Sequence, residues 1–223
     1  MFIGTSKQNF VGDRVQRPII KAGSCHTGRS DWSNCTRCGL HNTRHRVAIH
    51  RSHPSDWGPR ILFIGEAPGQ LEDKTGIPFV GHSGRIFQQY IEFCNRDFPY
   101  TITNAVGCRP VTIVYLDYDH DKEQPDIKDM IQDEDYELYD WNREPTKAEI
   151  AACKPHIDEI VEAEKPKGII YLGKVAESYK TKLPKISLLH PAAIARLEYK
   201  LLPTLRQARK ITNFVDKLTR GTQ

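Results

Sequence analysis

The sequence predicts an α/β fold: a four-stranded parallel sheet held between helices in three layers, built as one domain over residues 1–223. Three observations predict it. Short apolar runs recur along the chain, separated by stretches whose apolar residues fall at helical spacing, and such alternation builds a parallel sheet covered on both faces. A hydrophobic content of 39% over 223 residues is enough for one sizeable core. The loop after the first apolar run is long and dense in Gly, Pro and acids, as a gripping loop at a strand end is.

The elements follow in order. Residues 60–64 (RILFI) read as a buried strand. Ser83 caps a helix running to about residue 94, with Ile86, Phe87, Tyr90 and Ile91 on one face. Residues 100–106 (YTITNAV) form the second strand. Thr146 and Glu149 make a capping box ahead of a helix that carries Ile150, Cys153, Ile157 and Ile160. Pro155 lies inside that pattern and is expected to kink it or break its first turns. Residues 167–173 (KGIIYLG) give the third strand, with a short helix at about 175–180. Residues 186–189 give the fourth strand, and a helix over 205–218 ends the series.

Charge divides the chain unevenly. Residues 111–140 hold eleven acids and two lysines, a net −9, so the rest carries +13 within an overall +4. We read 111–140 as an acidic insertion, and the basic remainder as suited to a polyanion, nucleic acid first. No apolar run reaches the roughly 18 residues of a membrane span. The N-terminus lacks an apolar signal core, so a cytoplasmic, intracellular protein with reduced cysteines is expected, and a monomer. In that compartment metal ligation outranks disulfides for the six cysteines. Cys35-x-x-Cys38 has metal-ligand spacing, and Cys108 and Cys153 can complete a four-thiolate set for either zinc or an iron–sulfur cluster. Cys25 is a rival ligand, whereas Cys94 closes the apolar face of a helix and is expected to pack in the core.

The loop itself reads GEAPGQLEDKTGIPFVG, residues 65–81. It leaves the first strand at its carboxyl end, where ligands bind in open α/β sheets. Asn104 ends the second strand and His190-Pro191 follows the fourth, so a loop, an amide and an imidazole converge on one mouth.

These residues resemble the first motif of the family four, thermophile-type iron–sulfur uracil-DNA glycosylases, a loop of the form G-E-x-P-G-x-x-E-D-x-x-G-x-P-F-V-G. The resemblance continues through ITNAVGCRP, NREPTKAEIAACKP, KPKGIIYLG and LLHPAAIAR, in the same order, from about Cys35 to Arg196 apart from the acidic insertion. It implies excision of a flipped uracil from DNA to leave an abasic site. It also implies a [4Fe–4S] cluster on Cys35, Cys38, Cys108 and Cys153. Phe79 stands at the stacking position. Asn104 can accept from uracil N3–H and donate to O4, a pattern that cytosine mismatches. His190 matches the histidine that donates to O2 as the base leaves as an anion. Glu66 and Glu72 are the candidates to stabilise the cationic sugar or orient water, against a plainer role bracing loop amides. Ala67 stands where related families carry a water-activating Asp. Ser83 and Gly84 can offer backbone N–H groups to phosphate, Arg85 and Arg196 add charge, and Ile194 is the expected wedge into the gap left by the base. A non-catalytic iron–sulfur DNA-binding accessory protein is the alternative reading, and an electron-transfer protein a third.

Overall fold

The computed structural model describes residues 32–114 and 139–221. Its main sheet has five strands: β1 (His50–His53), β2 (Ile61–Gly65), β3 (Tyr100–Asn104), β6 (Gly168–Leu172) and β7 (Lys185–Leu188), in the order β1-β3-β2-β6-β7. β2, β3, β6 and β7 are parallel and correspond to the four predicted strands; β1 adds an antiparallel edge beside β3. The fifth strand corrects the four-stranded expectation. β1 reads His-Arg-Ser-His, with every side chain half-buried, so it carries no apolar alternation to betray it. A separate ribbon pairs β4 (Val111–Val114) with β5 (Tyr139–Asn142) and bounds the acidic stretch, most of which lies outside the described residues, as does Cys25.

Both faces of the sheet are covered, as the three-layer expectation requires. On one face Ile61, Phe63, Ile102 and Ile170 pack beneath α2 (His82–Glu92) and a long C-terminal helix spanning Leu201–Arg220. On the other, Leu62, Ile64, Ile169 and Tyr171 meet Ile157 and Ile160 of α3 (Lys147–Glu164). The period-2 alternation of β2 thus feeds two cores from one strand. Two shorter helices complete the order, α1 (Gln70–Thr75) in the glycine-rich loop and α4 (Pro191–Ala195), which makes the Leu201–Arg220 helix α5. The last helix therefore begins four residues earlier than predicted, and the segment at Val175–Ser178 is a single 3-10 turn.

The capping box on α3 forms as read: Glu149 N–H donates to Thr146 Oγ1 at 3.2 Å and Thr146 N–H donates to a Glu149 carboxylate oxygen at 2.7 Å. Pro155 does not end the helix, which runs through it to Glu164. Ser83 is not the cap of α2. Gly81 takes that place with no side-chain hydrogen bond, and Ser83 is the second helical residue. Because β2 neighbours β3 on one side and β6 on the other, the chain changes direction at the carboxyl end of β2. A crevice opens at such a switch point.

α5 sits hard on the start of β6. A Cβ at Gly168 would lie 2.7 Å from side-chain atoms of both Phe214 and Leu218. Gly168→Ala is expected to push the helix outward and cost about 1–3 kcal/mol, read as a lowered thermal midpoint with the far-ultraviolet spectrum retained; an unchanged midpoint would show that the helix packs loosely there.

Candidate active site

A cleft of about 540 Å³ opens at the switch point. The glycine-rich loop, the end of β3, the turn after β7 and the segment after β5 all reach it. Its centre is a three-way contact. Gly65 pairs with Asn104 across the β2–β3 ladder, and a Cβ on Gly65 would lie 2.5 Å from both Asn104 Oδ1 and Phe79 Cζ. Only a glycine lets the amide and the ring close over the strand end.

Phe79 is held in a conformation that few residues with a side chain adopt, at φ 56°. Two features hold it. A Cβ on Gly84 would lie 2.0 Å from the Phe79 carbonyl oxygen, so α2 can approach only because residue 84 is glycine. Glu72, buried at 7% exposure, accepts from Val80 N–H at 3.0 Å and Gly81 N–H at 2.8 Å with the same oxygen. The ring then lies buried against Phe87 at 5.6 Å, on the cleft wall.

Asn104 is 2% exposed, and its Oδ1 is a buried acceptor with no hydrogen-bond partner among the described residues. Native interiors rarely leave such a group unpaired, and an unmet acceptor in a cleft points to a donor that arrives with a ligand.

His190 caps α4: its Nδ1 accepts from Ala192 N–H at 3.1 Å. An accepting Nδ1 carries no proton, so the proton of the neutral ring sits on Nε2. Burial first, and the Arg196 cation second, lower its pKa to about 4. Gly173, at φ 91°, makes room behind it, since a Cβ there would lie 3.0 Å from His190 Cβ.

Glu66 starts the loop, half-buried on the cleft wall. Burial, then the neighbouring Glu144 carboxylate, raise its pKa, and Arg196 opposes them. Arg196 is exposed at the rim, and Ala67 lines the wall and packs against the buried cluster of Leu40, Val106, Cys108 and Cys153. His82 and Ser83 reach the cleft from the N-terminus of α2, whose first internal bond is Arg85 N–H to Gly81 O. The amides of residues 82–84 precede it and are available to an anion. Arg85 points to a neighbouring hollow with Phe93 and Leu201.

The geometry bears on two of the expected roles. Ile194 is 0% exposed and belongs to the main core, so it cannot enter a DNA stack. The apolar residues that do stand out at this turn are Leu189, Leu197 and Tyr199. The Glu72 carboxylate is engaged by two loop amides, which is the bracing role. Sequence reasoning missed Asn142, Arg143 and Glu144, which line the cleft opposite the loop. They sit in the NREPT stretch, whose capping box drew the reading toward helix initiation. Arg143 is fixed there by a bidentate pair with Glu149 at 2.9 and 2.6 Å, which lowers the Glu149 pKa to about 2.

The cysteines gather beside this wall. Cys108 and Cys153 are buried with Leu40 and Val106, and Cys38 packs against them. Burial raises the Cys153 thiol to about 11, with Cys108, Cys38 and Cys35 adding to the rise; burial also raises Cys108, against Arg44. Arg44 donates to Cys108 Sγ at 3.5 Å and to the Cys35 carbonyl at 2.6 Å. Among the described residues no three His, Cys, Asp or Glu side chains are arranged to hold a single metal ion. Cys94 stays apart in the core, donating to Tyr90 O at 3.1 Å.

Known proteins similar to this chain come from one family. The family model described as the uracil DNA glycosylase superfamily matches residues 52–218. A type-4 uracil-DNA glycosylase of Sulfurisphaera tokodaii is 32% identical over 149 residues, 66% of this chain and 53% of that protein. One from Thermotoga maritima is 32% identical over 155 residues, 69% of this chain and 64% of that protein. One from Archaeoglobus fulgidus is 26% identical over 180 residues, 80% of this chain and 72% of that protein. The chain thus spans about half of the first and under two thirds of the second.

The histidine gives a pH test. An unfolded histidine takes its proton near 6.5, whereas folded His190 resists until about 4. The stability that the neutral ring contributes is therefore complete above 6.5 and is lost as pH falls toward 4. Nitrogen-15 correlation spectra should show His190 as the Nε2–H tautomer at neutral pH, titrating near 4; a midpoint near 6.5 would mean that the ring is neither buried nor capping α4.

Proposed function

The chain belongs to the uracil DNA glycosylase superfamily, and from that premise we propose that it excises uracil from DNA by hydrolysing the N-glycosidic bond. The observation that carries the reading is the unpaired, buried Asn104 Oδ1 beside the Phe79 ring. An acceptor next to an aromatic face suits uracil N3–H stacked in a dry pocket. Cytosine presents an acceptor at N3, so the same amide would leave two buried acceptors facing each other.

The remaining groups divide the work. As the glycosidic bond breaks, the sugar gains positive charge and the base negative charge. The neutral His190 ring donates its Nε2–H to the base at O2, where the anion develops, and gives up no formal proton. Glu66 lies in the same cleft and, once ionised, stabilises the sugar cation or orients the attacking water. Ala67 cannot take that part, and Glu72 is occupied by its loop amides. The amides at the start of α2, with Arg196, hold backbone phosphates. Leu197, exposed one residue beyond Arg196, takes the wedge role that Ile194 cannot.

Cys35, Cys38, Cys108 and Cys153 fit a thiolate-bound cluster: the donors are all thiols, two are buried among apolar side chains, and Arg44 offers a hydrogen bond to sulfur. A [4Fe–4S] group held there would act as a staple between the N-terminal loop, the turn after β3 and α3. Anaerobically purified protein should be brown, with about four irons and four sulfides per chain; colourless protein with one zinc would replace the cluster by a zinc site.

The direct test of activity is alkali-labile cleavage of an oligonucleotide with a single uracil. Asn104→Asp sharpens it, since an ionised Asp would oppose uracil O4 acceptor to acceptor. Each unpaired buried group costs about 1–3 kcal/mol, so excision should fall at least about tenfold, and weak cytosine excision at mismatches becomes accessible. Full uracil activity in a folded Asn104→Asp protein would remove Asn104 from base reading.

A further inference from the structure

The far end of the same sheet carries a second feature. Among the described residues β7 is an edge strand, paired with β6 alone. Ile169 N–H bonds to Pro184 O, and Gly173 N–H bonds to Leu188 O. Parallel ladders use alternate residues, so Pro184, Ile186 and Leu188 face β6. The backbone N–H and C=O groups of Lys185 and Ser187 then point away from the sheet, and none of the described residues bonds them. Between this edge and the second half of α5 runs a groove of about 980 Å³. Ile186 and Phe214 form its apolar floor, and Lys167, Lys185, Lys210 and Lys217 stand around it. Among the described residues no acidic side chain lines it. Asp216, nearest in sequence, is paired with Arg96.

We propose that this groove docks an acidic, partly apolar segment of a partner protein as an added strand on β7. An edge strand beside a helix offers main-chain bonds to an extended peptide, and the peptide's alternate side chains then face opposite ways. Apolar side chains would meet the floor and carboxylates the lysines. The charge selects the occupant. Residues 1–31 of this chain carry a net +3, the same sign as the groove. Nucleic acid would satisfy the lysines but would leave the outward backbone groups and apolar floor unused. The groove also opens sideways along the β7 edge, whereas the cleft opens beyond the carboxyl ends of the strands, and the two share no lining residue.

The test uses the full-length protein and a fluorescein-labelled peptide of about six residues alternating Asp with Leu, followed by fluorescence anisotropy. We expect binding that weakens with salt and falls at least about tenfold in the Lys210→Glu/Lys217→Glu variant, with the circular dichroism unchanged. A peptide of the same charge with proline at alternate positions should not bind the native protein. Amide exchange at Lys185 and Ser187 should slow in the complex. Equal binding by both proteins, by the proline peptide, or more tightly by an oligothymidylate of matched charge would overturn the proposal. So would binding that appears only after residues 115–138 are replaced by a Gly-Ser linker, which would assign the groove to the chain's own acidic stretch.

Discussion

The cleft depends on one absent side chain. At the end of β2, Gly65 leaves a space that Asn104 Oδ1 and the Phe79 ring enter from two sides. Three things must be right for them to meet there. The β2–β3 register must pair residue 65 with residue 104. The loop must carry Phe79 back over the strand end at a positive φ. α2 must come close enough to hold that turn, which a side chain at residue 84 would prevent. Backbone strain at Phe79 is offset by the buried Glu72 hydrogen bonds, so the aromatic face is set before any ligand arrives.

The same short helix binds the cleft to the cysteine-bearing segment. α1 presents two buried acids in succession. Glu72 accepts from the amides after Phe79, while Asp73 accepts from His45 N–H at 3.1 and 3.2 Å. One helical turn therefore grips the turn after Phe79 with one carboxylate and the chain following Cys35 and Cys38 with the other. Trp32 extends the tie by donating to Glu159 of α3 at 2.6 Å. A change at the cysteines would reach the cleft through Ala67, Asp73 and α1.

Much of this was legible in the sequence because the signals were local and strong. Four apolar runs became four parallel strands, and the T-x-x-E pattern became a capping box with both bonds made. The convergence of residues 65–81, Asn104 and His190 followed from strand polarity alone. What was not legible depended on tertiary environment. β1 is polar and owes its strand form to pairing with β3, in a register no periodicity reveals. Ile194 looked like an exposed apolar residue after a loop motif, yet a five-residue helix turns it into the core. Glu72 carries the same chemistry as Glu66, and only the positions of two amides separate brace from candidate catalyst. The wall formed by Asn142, Arg143 and Glu144 was hidden because the acidic stretch separates its strand from the partner that places it.

The electrostatics of the cleft divides the proposed reaction between two groups. Glu66, raised by burial and by Glu144, is easiest to ionise when positive charge is near. Arg196 supplies some, and the same cation adds to the burial that keeps His190 neutral. His190, held neutral, would act as a fixed dipole toward the leaving base, and the Glu66 carboxylate would oppose the positive charge that develops on the sugar, while DNA phosphates at the rim would meet Arg196 and the α2 amides.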